Sequence, residues 1–138
     1  MSGETSIFAR IVAGDIPCHK VFENEHVFAF LDINPLAVGH TLLIPKQVVP
    51  RLEDLTPEIA AELGKQLPIL TKKVLAATGA EACNVLLNNG PLAGQEVPHV
   101  HFHIVPRQDG DGLGYRWKPR QADAGDLKAL AERIIATS

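Results

Sequence analysis

Three histidines occupy alternate residues in the segment His99-Val100-His101-Phe102-His103-Ile104-Val105. Alternate side chains of a strand point to the same face, so this spacing predicts a row of imidazoles on one face and apolar residues facing the core on the other. A neutral imidazole can act as a nucleophile, a proton carrier or a metal ligand. Three solvent-facing imidazoles in register have no packing role, so the pattern predicts a chemical site.

Metal binding is the main chemical alternative to catalysis by the imidazoles themselves. At the rise of a strand His99 and His103 lie roughly 13 Å apart, so only two of the three histidines could reach one ion. Cys18 and Cys83 are isolated in the sequence and offer neither metal-ligand spacing nor a disulfide framework. We therefore expect no metal and no cofactor, and a chelator test separates this expectation from a histidine-dependent metalloenzyme.

The loop that leads into the histidines has a composition suited to anion binding. It runs from Asn88 to Pro98 and contains two glycines and two prolines, which is typical of a turn. Its backbone N–H groups and the side-chain amides of Asn88 and Gln95 could donate hydrogen bonds to phosphate. A hairpin needs the same residue types, so the phosphate interpretation depends on the neighbouring histidines.

At this point the chain resembles the histidine triad family, whose signature His-φ-His-φ-His-φ-φ, with φ apolar, is matched from His99 to Val105. Further segments look like family blocks in the family's order, so the similarity extends from about residue 5 to about residue 117. These segments are Ser6–Ile11, Phe28–Pro35, Gly39–Lys46 and Gly94–Arg107. The bacterial Hint-like branch is the one that the chain resembles most.

The resemblance implies a nucleotide hydrolase or transferase that cleaves at the α-phosphate of a nucleoside monophosphate derivative, such as a phosphoramidate or an adenylate. His101 is similar to the residue that attacks phosphorus and forms a nucleotidyl-histidine intermediate, which water then hydrolyses. His103 resembles the residue that contacts the phosphate oxygens. His99, backed by His40, resembles the pair that orients the site and assists proton transfer to the leaving group.

The resemblance also implies a purine nucleotide as the substrate. Asp32 resembles the carboxylate that accepts from the ribose hydroxyls, although an Asp before Ile33-Asn34-Pro35 is also typical of a turn. The amides implied on the phosphate side are those of Asn88 and Gln95, and the further substrate-binding residues implied are Gly94, Glu96 and Val97. The residues implied for the base pocket, which would be core in any case, are Ile7, Phe8, Leu31, Ile33 and Leu42.

Some positions depart from the family's patterns. Many bacterial relatives hold a structural zinc with Cys-φ-φ-Cys and further histidines, whereas this sequence has Ser6, Ala9 and Val48 at the corresponding positions. Without those ligands that zinc site is absent. Glu96 stands where eukaryotic Hint proteins have a serine that touches the α-phosphate. A carboxylate there would repel phosphate unless it points away, which bears on the preferred leaving group.

Two other functions remain open at this level. One is a dinucleoside polyphosphate hydrolase of the Fhit type, which differs in its leaving group. The other is a purine-nucleotide-binding regulatory module with weak catalysis, which would bind AMP and release no product from a phosphoramidate. Turnover of a panel of substrates separates the three.

The elements that must position these residues follow from hydrophobic spacing and turn signals. Helices are predicted at Ile7–Ala13, from Thr56-Pro57 to about Thr78, and after Asp123, and strands at Lys20–Glu23, Val27–Asp32, Thr41–Ile44, Ala82–Asn88 and Val100–Val105. Thr56 and Asp123 are predicted N-caps, Gly79 ends the long helix, and Pro68 inside it predicts a kink.

The pattern alone indicates an α+β protein. The resemblance adds a HIT-like fold, with a five-stranded antiparallel sheet packed with one long and one or two shorter helices. It also implies a homodimer in which the two sheets join into ten strands.

Composition agrees with one small domain. The 138 residues, of which 46% are hydrophobic, can bury a single core. We therefore expect one histidine triad domain over residues 1–138, with a C-terminal extension from about residue 108. The glycine-rich segment Gln108–Trp117 follows a strand but opens no helix, so it is expected to be a loop and not a dinucleotide-binding turn.

Charge and apolar runs limit the partners. The formal net charge is −3 and the chain has no run of basic residues, so nucleic acid is not an expected partner. No apolar run approaches the roughly 20 residues that span a bilayer, so no membrane partner is expected. Two unpaired cysteines suit a reducing compartment. These features predict a cytoplasmic protein.

Overall fold

Short strands, three α-helices and two 3₁₀ turns, Leu52–Asp54 and Pro91–Ala93, make up the fold of the described residues. The computed structural model describes residues 6–114 and 116–138, so Tyr115 of the predicted glycine-rich loop lies outside the described residues. The helices are α1 (Ile7–Val12), α2 (Pro57–Thr78) and α3 (Ala124–Ala136). The strands are β1 (Lys20–Glu23), β2 (Val27–Leu31), β3 (Thr41–Pro45), β4 (Ala82–Leu87) and β5 (Phe102–Arg107).

Polar side chains start the helices where the sequence indicates. Thr56 accepts from the backbone N–H of Ile59 at the start of α2, and Asp123 accepts from two N–H groups at the start of α3. Gly79 ends α2 in the left-handed conformation, with φ of +74°, which glycine adopts without a Cβ penalty. The predicted caps and bounds of α2 are thereby confirmed.

The strands form a single antiparallel sheet within the described residues, in the order β1-β2-β3-β5-β4. Leu42 in β3 pairs with Phe30 in β2 on one side and with His103 in β5 on the other. Directly paired residues share a face of the sheet, so these three side chains lie on the same side. The predicted five-stranded antiparallel α+β fold is confirmed.

Both faces of the sheet are buried, which explains why β2 and β3 are almost continuously apolar. On one face Val27, Ala29, Leu43 and Ile104 pack with α2. On the other face Phe28, Phe30, Leu42 and Ile44 pack with Phe8 of α1. Successive residues therefore serve opposite layers, and the face under α1 is also the face of His103.

The predicted strand from Val100 to Val105, and the alternating pattern that extends it upstream to His99, are wrong at the start. Strand β5 begins at Phe102, which pairs with Leu43 in β3 and with Leu87 in β4, the last pairs on both sides. The backbone N–H of Val100 instead donates to the carbonyl of Val49 at 2.9 Å. Only His103 of the three histidines lies in a strand.

The C-terminal helix contrasts with this core. None of the residues of α3 is buried, and its apolar stripe is exposed. That stripe consists of Leu127, Leu130, Ile134 and Ile135. Across residues 6–114 and 116–138, no helix combines the length and the apolar character that crossing a membrane requires.

Candidate active site

A pocket of about 420 Å³ opens where α1 faces the sheet. Its polar lining includes three of the four histidines singled out by the sequence, His40, His101 and His103. The predicted residues Asp32, Asn88, Gly94, Glu96 and Val97 line the same pocket, as do Ile7, Phe8, Leu31, Ile33 and Leu42. His99 and Gln95 are not among its lining residues.

Several lining residues were missed by the sequence analysis. Ile11 follows Ile7 by one helical turn, so periodicity could have identified it, whereas strand alternation puts Phe30 on the face opposite to Leu31 and gives no such signal. The rest lie in loops, where no pattern indicates which way a side chain points. They are Ile16, Pro17, Cys18, Asn34 and Leu36.

His101 is held in one protonation form by its backbone neighbour. Its Nδ1 lies 2.7 Å from the carbonyl oxygen of His99, and a carbonyl can only accept, so Nδ1 carries the proton. Burial lowers the pKa of His101, which favours the neutral imidazole with its lone pair on Nε2. No described residue forms a hydrogen bond with that Nε2. The ring of Phe8 packs edge-on against the imidazole ring of His101, with the two ring centroids 5.0 Å apart.

The sequence predicted that His99 faces solvent, but its imidazole is buried and both ring nitrogens form hydrogen bonds. Its side chain is 0% exposed, and Nε2 lies 2.8 Å from the carbonyl oxygen of Pro45. Nε2 therefore donates, and Nδ1 accepts from the hydroxyl of Ser6 at 2.9 Å. The same Ser6 oxygen accepts from Ala9 N–H and caps α1. His99 thus links α1, β3 and the backbone carbonyl that holds His101.

His40 pairs with His103, so the prediction that His40 backs His99 is wrong. The backbone N–H of Leu36 donates to Nδ1 of His40 at 3.1 Å. Nε2 of His40 therefore carries the proton and donates to Nδ1 of His103 at 2.9 Å. By the same logic the remaining proton of His103 is on Nε2. That buried Nε2 has no hydrogen-bond partner among the described residues.

Burial keeps both of these histidines uncharged at neutral pH. Desolvation lowers the pKa of His40, and it lowers the pKa of His103 to about 4. His103 therefore offers a neutral N–H donor at the pocket, while His101 offers a neutral acceptor. A donor and a nucleophilic lone pair are the two groups that a phosphoryl centre requires: one for an oxygen and one for phosphorus.

The sequence suggested two roles for Asp32, a turn residue and a ligand-binding carboxylate, and the contacts of its two oxygens are compatible with both. Its Oδ1 accepts from Asn34 N–H at 2.9 Å, which is the predicted turn. Its Oδ2 lies 3.8 Å from Nε2 of His40, too long for a hydrogen bond. The carboxylate is one-fifth exposed and lines the pocket, so its free oxygen can accept from a ligand hydroxyl.

Asp32, His40 and His103 are also close enough to be considered as metal ligands, since one ligand atom from each lies within 4.8 Å of the others. The hydrogen bond from Leu36 opposes this interpretation. It occupies the Nδ1 lone pair of His40, so the ring proton stays on Nε2 and leaves no lone pair there for an ion. Binding a cation would place two N–H groups against each other.

The prediction that Gln95 donates to phosphate does not fit its contacts. Its Oε1 accepts from Gly90 N–H at 2.7 Å, and its Nε2 donates to the carbonyls of Pro50 and Val97 at 2.8 and 2.9 Å. All of its amide hydrogens are used. Gln95 therefore shapes the loop, and Asn88 is the amide that lines the pocket.

Asn89 fastens the same loop to the segment that follows β3, a role that the sequence analysis missed within an apparent turn. Its Oδ1 accepts from Leu52 N–H at 2.8 Å and its Nδ2 donates to Glu53 at 2.8 Å. Hydrogen bonds from Asn89 and then Arg51 lower the pKa of Glu53 to about 2. Gly90, with φ of +99°, lies directly against the Arg51 guanidinium.

Several known proteins are similar to this chain in sequence. The family described as HIT domain matches residues 13–110. The chain is 46% identical over 129 residues to an adenosine 5′-monophosphoramidase of Schizosaccharomyces pombe, covering 93% of this chain and 94% of that protein. It is 40% identical over 107 residues to an adenylylsulfatase of Arabidopsis thaliana, covering 78% of this chain and 54% of that protein.

A solved structure shares the fold over almost the whole chain. It is the crystal structure of a HIT family member from Bacillus subtilis, with a TM-score of 0.91 and 40% sequence identity, covering 98% of this chain and 100% of that one. The match extends beyond the histidine segment to the sheet, the helices and the pocket-lining loops.

Proposed function

The chain belongs to the HIT domain family, and from that membership we propose that it is a nucleotide hydrolase that acts through a nucleotidyl-histidine intermediate. Its relatives include an adenosine 5′-monophosphoramidase and an adenylylsulfatase. These relatives support hydrolysis of a nucleotide derivative, and cleavage at the α-phosphate is part of our proposal. The mechanism rests on the pocket's own groups.

One observation supports the mechanism above the others. His101 Nδ1 is fixed as a donor by the carbonyl of His99, so the Nε2 lone pair is the reactive atom. His103 lines the same pocket, and its Nε2–H has no hydrogen-bond partner among the described residues. We propose that an α-phosphoryl group binds at these atoms, with phosphorus facing the lone pair and a non-bridging oxygen accepting from His103.

The proposed reaction has two balanced steps. In the first, the Nε2 lone pair of His101 forms a bond to phosphorus while the bond from phosphorus to the leaving nitrogen breaks. The leaving nitrogen keeps the electron pair and takes a proton from water. In the second, water attacks phosphorus, the bond to Nε2 breaks, and a proton is released. The carbonyl of His99 stabilises the positive charge that develops on the ring of His101.

The nucleoside would occupy the rest of the pocket. Asp32 accepts from the ribose hydroxyls, and the purine lies against the apolar side chains of α1 and β2. Asn88 donates to the phosphoryl group. His40 acts through His103, because its Nε2–H fixes which nitrogen of His103 donates.

A trapping experiment tests the intermediate. The protein is mixed rapidly with an AMP derivative that carries a good leaving group, denatured in alkali because a P–N bond to imidazole is acid-labile, and digested for mass analysis. One nucleotidyl adduct is expected, on His101. An adduct on His99 or His103, or a burst of leaving group without any histidine adduct, would show that the nucleophile is wrongly assigned.

Metal independence is tested on the same assay. We expect full turnover after exhaustive chelation, because Leu36 occupies the Nδ1 lone pair of His40 and the ring proton occupies Nε2. Activity lost on chelation and restored by zinc or manganese would favour a metalloenzyme.

We further propose a homodimer in which two copies of β4 pair to give a ten-stranded sheet. Strand β4 is an edge strand, and an unpaired edge is open to pairing with another chain. Val85 and Leu86 in β4 are two-fifths exposed, so pairing would bury apolar surface. Sedimentation of the full chain at several concentrations tests this, and a monomer at all concentrations would refute it.

A further inference from the structure

The pocket offers a nucleotide an unusual charge environment. Its described lining contains two carboxylates, Asp32 and Glu96, and neither lysine nor arginine. Its three histidines, His40, His101 and His103, have lowered pKa values because they are buried, so they carry no charge at neutral pH. The described groups can therefore bind one phosphoryl charge through hydrogen bonds, but they supply no cation for further negative charges.

Glu96 is the carboxylate in this lining without a partner. Asp32 accepts a hydrogen bond from Asn34, and outside the pocket Asp111 pairs with Arg107 at 2.8 Å. Glu96 forms no hydrogen bond or ion pair with any described residue, and its side chain is exposed at the pocket. No described residue compensates its charge, so we expect that charge to act on a ligand in the pocket.

The loop geometry gives Glu96 this position. Gly94 turns the chain in the left-handed conformation, with φ of +100°, and Gln95 is held by three hydrogen bonds to backbone groups. Gly94 before this anchor and Glu96 and Val97 after it all line the pocket. Glu96 therefore stands on a loop that hydrogen bonds hold in place, in the lining of the pocket that also contains His101.

We propose that Glu96 determines specificity by the charge of the leaving group, and that the pocket favours an amine with a nearby positive charge over a neutral one, and a neutral one over an anionic one. The inference rests on the proposed hydrolase activity and narrows its substrate class. All substrates share the charge of the α-phosphoryl group, so only the leaving group differs in its interaction with Glu96. Polyphosphate leaving groups, which carry several negative charges, would be the poorest.

Three matched substrates measure this preference. They are adenosine 5′-phosphoramidates whose amines carry, at the end of the same two-carbon chain, an ammonium, a hydroxyl or a carboxylate group. The quantity is the ratio of kcat/KM for the ammonium substrate to that for the carboxylate substrate. Comparing this ratio between wild type and Glu96→Gln cancels the intrinsic reactivity of each amine.

Glu96→Gln should reduce that ratio about tenfold, since each unit charge near an exposed carboxylate changes binding by about two- to fivefold. The hydroxyl substrate should change least. Glu58→Gln is the matched control, because it removes the same charge from the exposed first turn of α2, and its ratio should equal that of the wild type.

Each outcome has a distinct meaning. If the wild type hydrolyses all three substrates but Glu96→Gln leaves the ratio within twofold, or if the wild type prefers the carboxylate substrate, the role of Glu96 is refuted and the hydrolase activity stands. If the wild type hydrolyses none of the three, the proposed function itself fails. Thermal unfolding of both variants verifies that they are folded.

Discussion

The two ends of the pocket are built by opposite means. At the reactive end, both ring nitrogens of His99 and His40 are hydrogen-bonded, and His99 is fully buried. At the apolar end, Ile33 is 75% exposed and Ile7 is about half exposed. Chemistry at phosphorus requires atoms fixed to within fractions of an ångström, whereas a purine face needs only apolar area. The contrast predicts which substitutions affect kcat and which affect KM.

The largest effect is expected at the reactive end, from His101→Ala. Turnover should be abolished because no other described lone pair replaces Nε2, while AMP binding should stay within about tenfold, since it also uses Asp32 and the apolar end. Steady-state kinetics and calorimetric titration with AMP measure the two quantities. Residual activity above about one-hundredth of wild type would break the comparison.

The second-largest effect is expected from acid, which should lower kcat/KM. Protonation of Nε2 removes the lone pair, and burial lowers the pKa of His101 from its usual 6.5. Because the folded-state pKa is depressed, kcat/KM should be nearly unchanged between pH 7.5 and 6.5 and then fall about tenfold per pH unit below the lowered pKa. A pH profile with a substrate that does not titrate in this range measures it. A midpoint above pH 6.5 would show that the imidazole is not desolvated.

Ser6→Ala tests how the reactive end is held. It removes the donor to the buried His99 Nδ1, which should lower the free energy of unfolding by about 1–3 kcal/mol. It also removes the cap of α1, which should lower that free energy by about a further 1 kcal/mol. Thr56→Ala is the matched control, because Thr56 caps α2 without contacting a histidine. Urea unfolding should therefore show a larger loss for Ser6→Ala. Equal losses would mean that the bond to His99 contributes nothing.

The smallest effect is expected at the apolar end. Ile33→Ala should raise KM by a few-fold and leave kcat and the free energy of unfolding unchanged, because this largely exposed side chain supports neither core nor histidines. Kinetics and urea unfolding of the single variant suffice. A fall in kcat similar in size to the rise in KM would show that the apolar end also positions the phosphorus.

Local sequence signals predicted the architecture because they depend on local rules. Apolar runs located β2 and β3 to within one residue, and Thr56-Pro57 with Gly79 fixed both ends of α2. The strand containing the histidines was extended too far upstream, because alternation continues through His99 and His101. In the structure both neighbouring strands stop pairing at Phe102, a long-range fact that alternation cannot contain.

The sequence predicted which residues line the pocket better than it predicted which residues hydrogen-bond to one another. Every predicted base-pocket residue lines the pocket, and so does Asp32. The partner of His40 depends on the pairing of Leu42 with His103, which is a register between strands far apart in sequence. Likewise, the amide of Gln95 has as its partners the carbonyls of Pro50 and Val97. Sequence spacing gives no information on either.

The backbone at Gly90 limits how this loop can vary. Its φ of +99° with ψ of 153° lies in a region essentially restricted to glycine, and a Cβ there would meet the Arg51 guanidinium. Gly110 also has a positive φ, of +72°, but open space surrounds it, and asparagine or aspartate tolerates such a backbone. The loop at Gly90 should therefore tolerate fewer substitutions than the loop at Gly110. In a library of all single substitutions, position 90 should retain function with glycine alone, whereas position 110 should accept several residues.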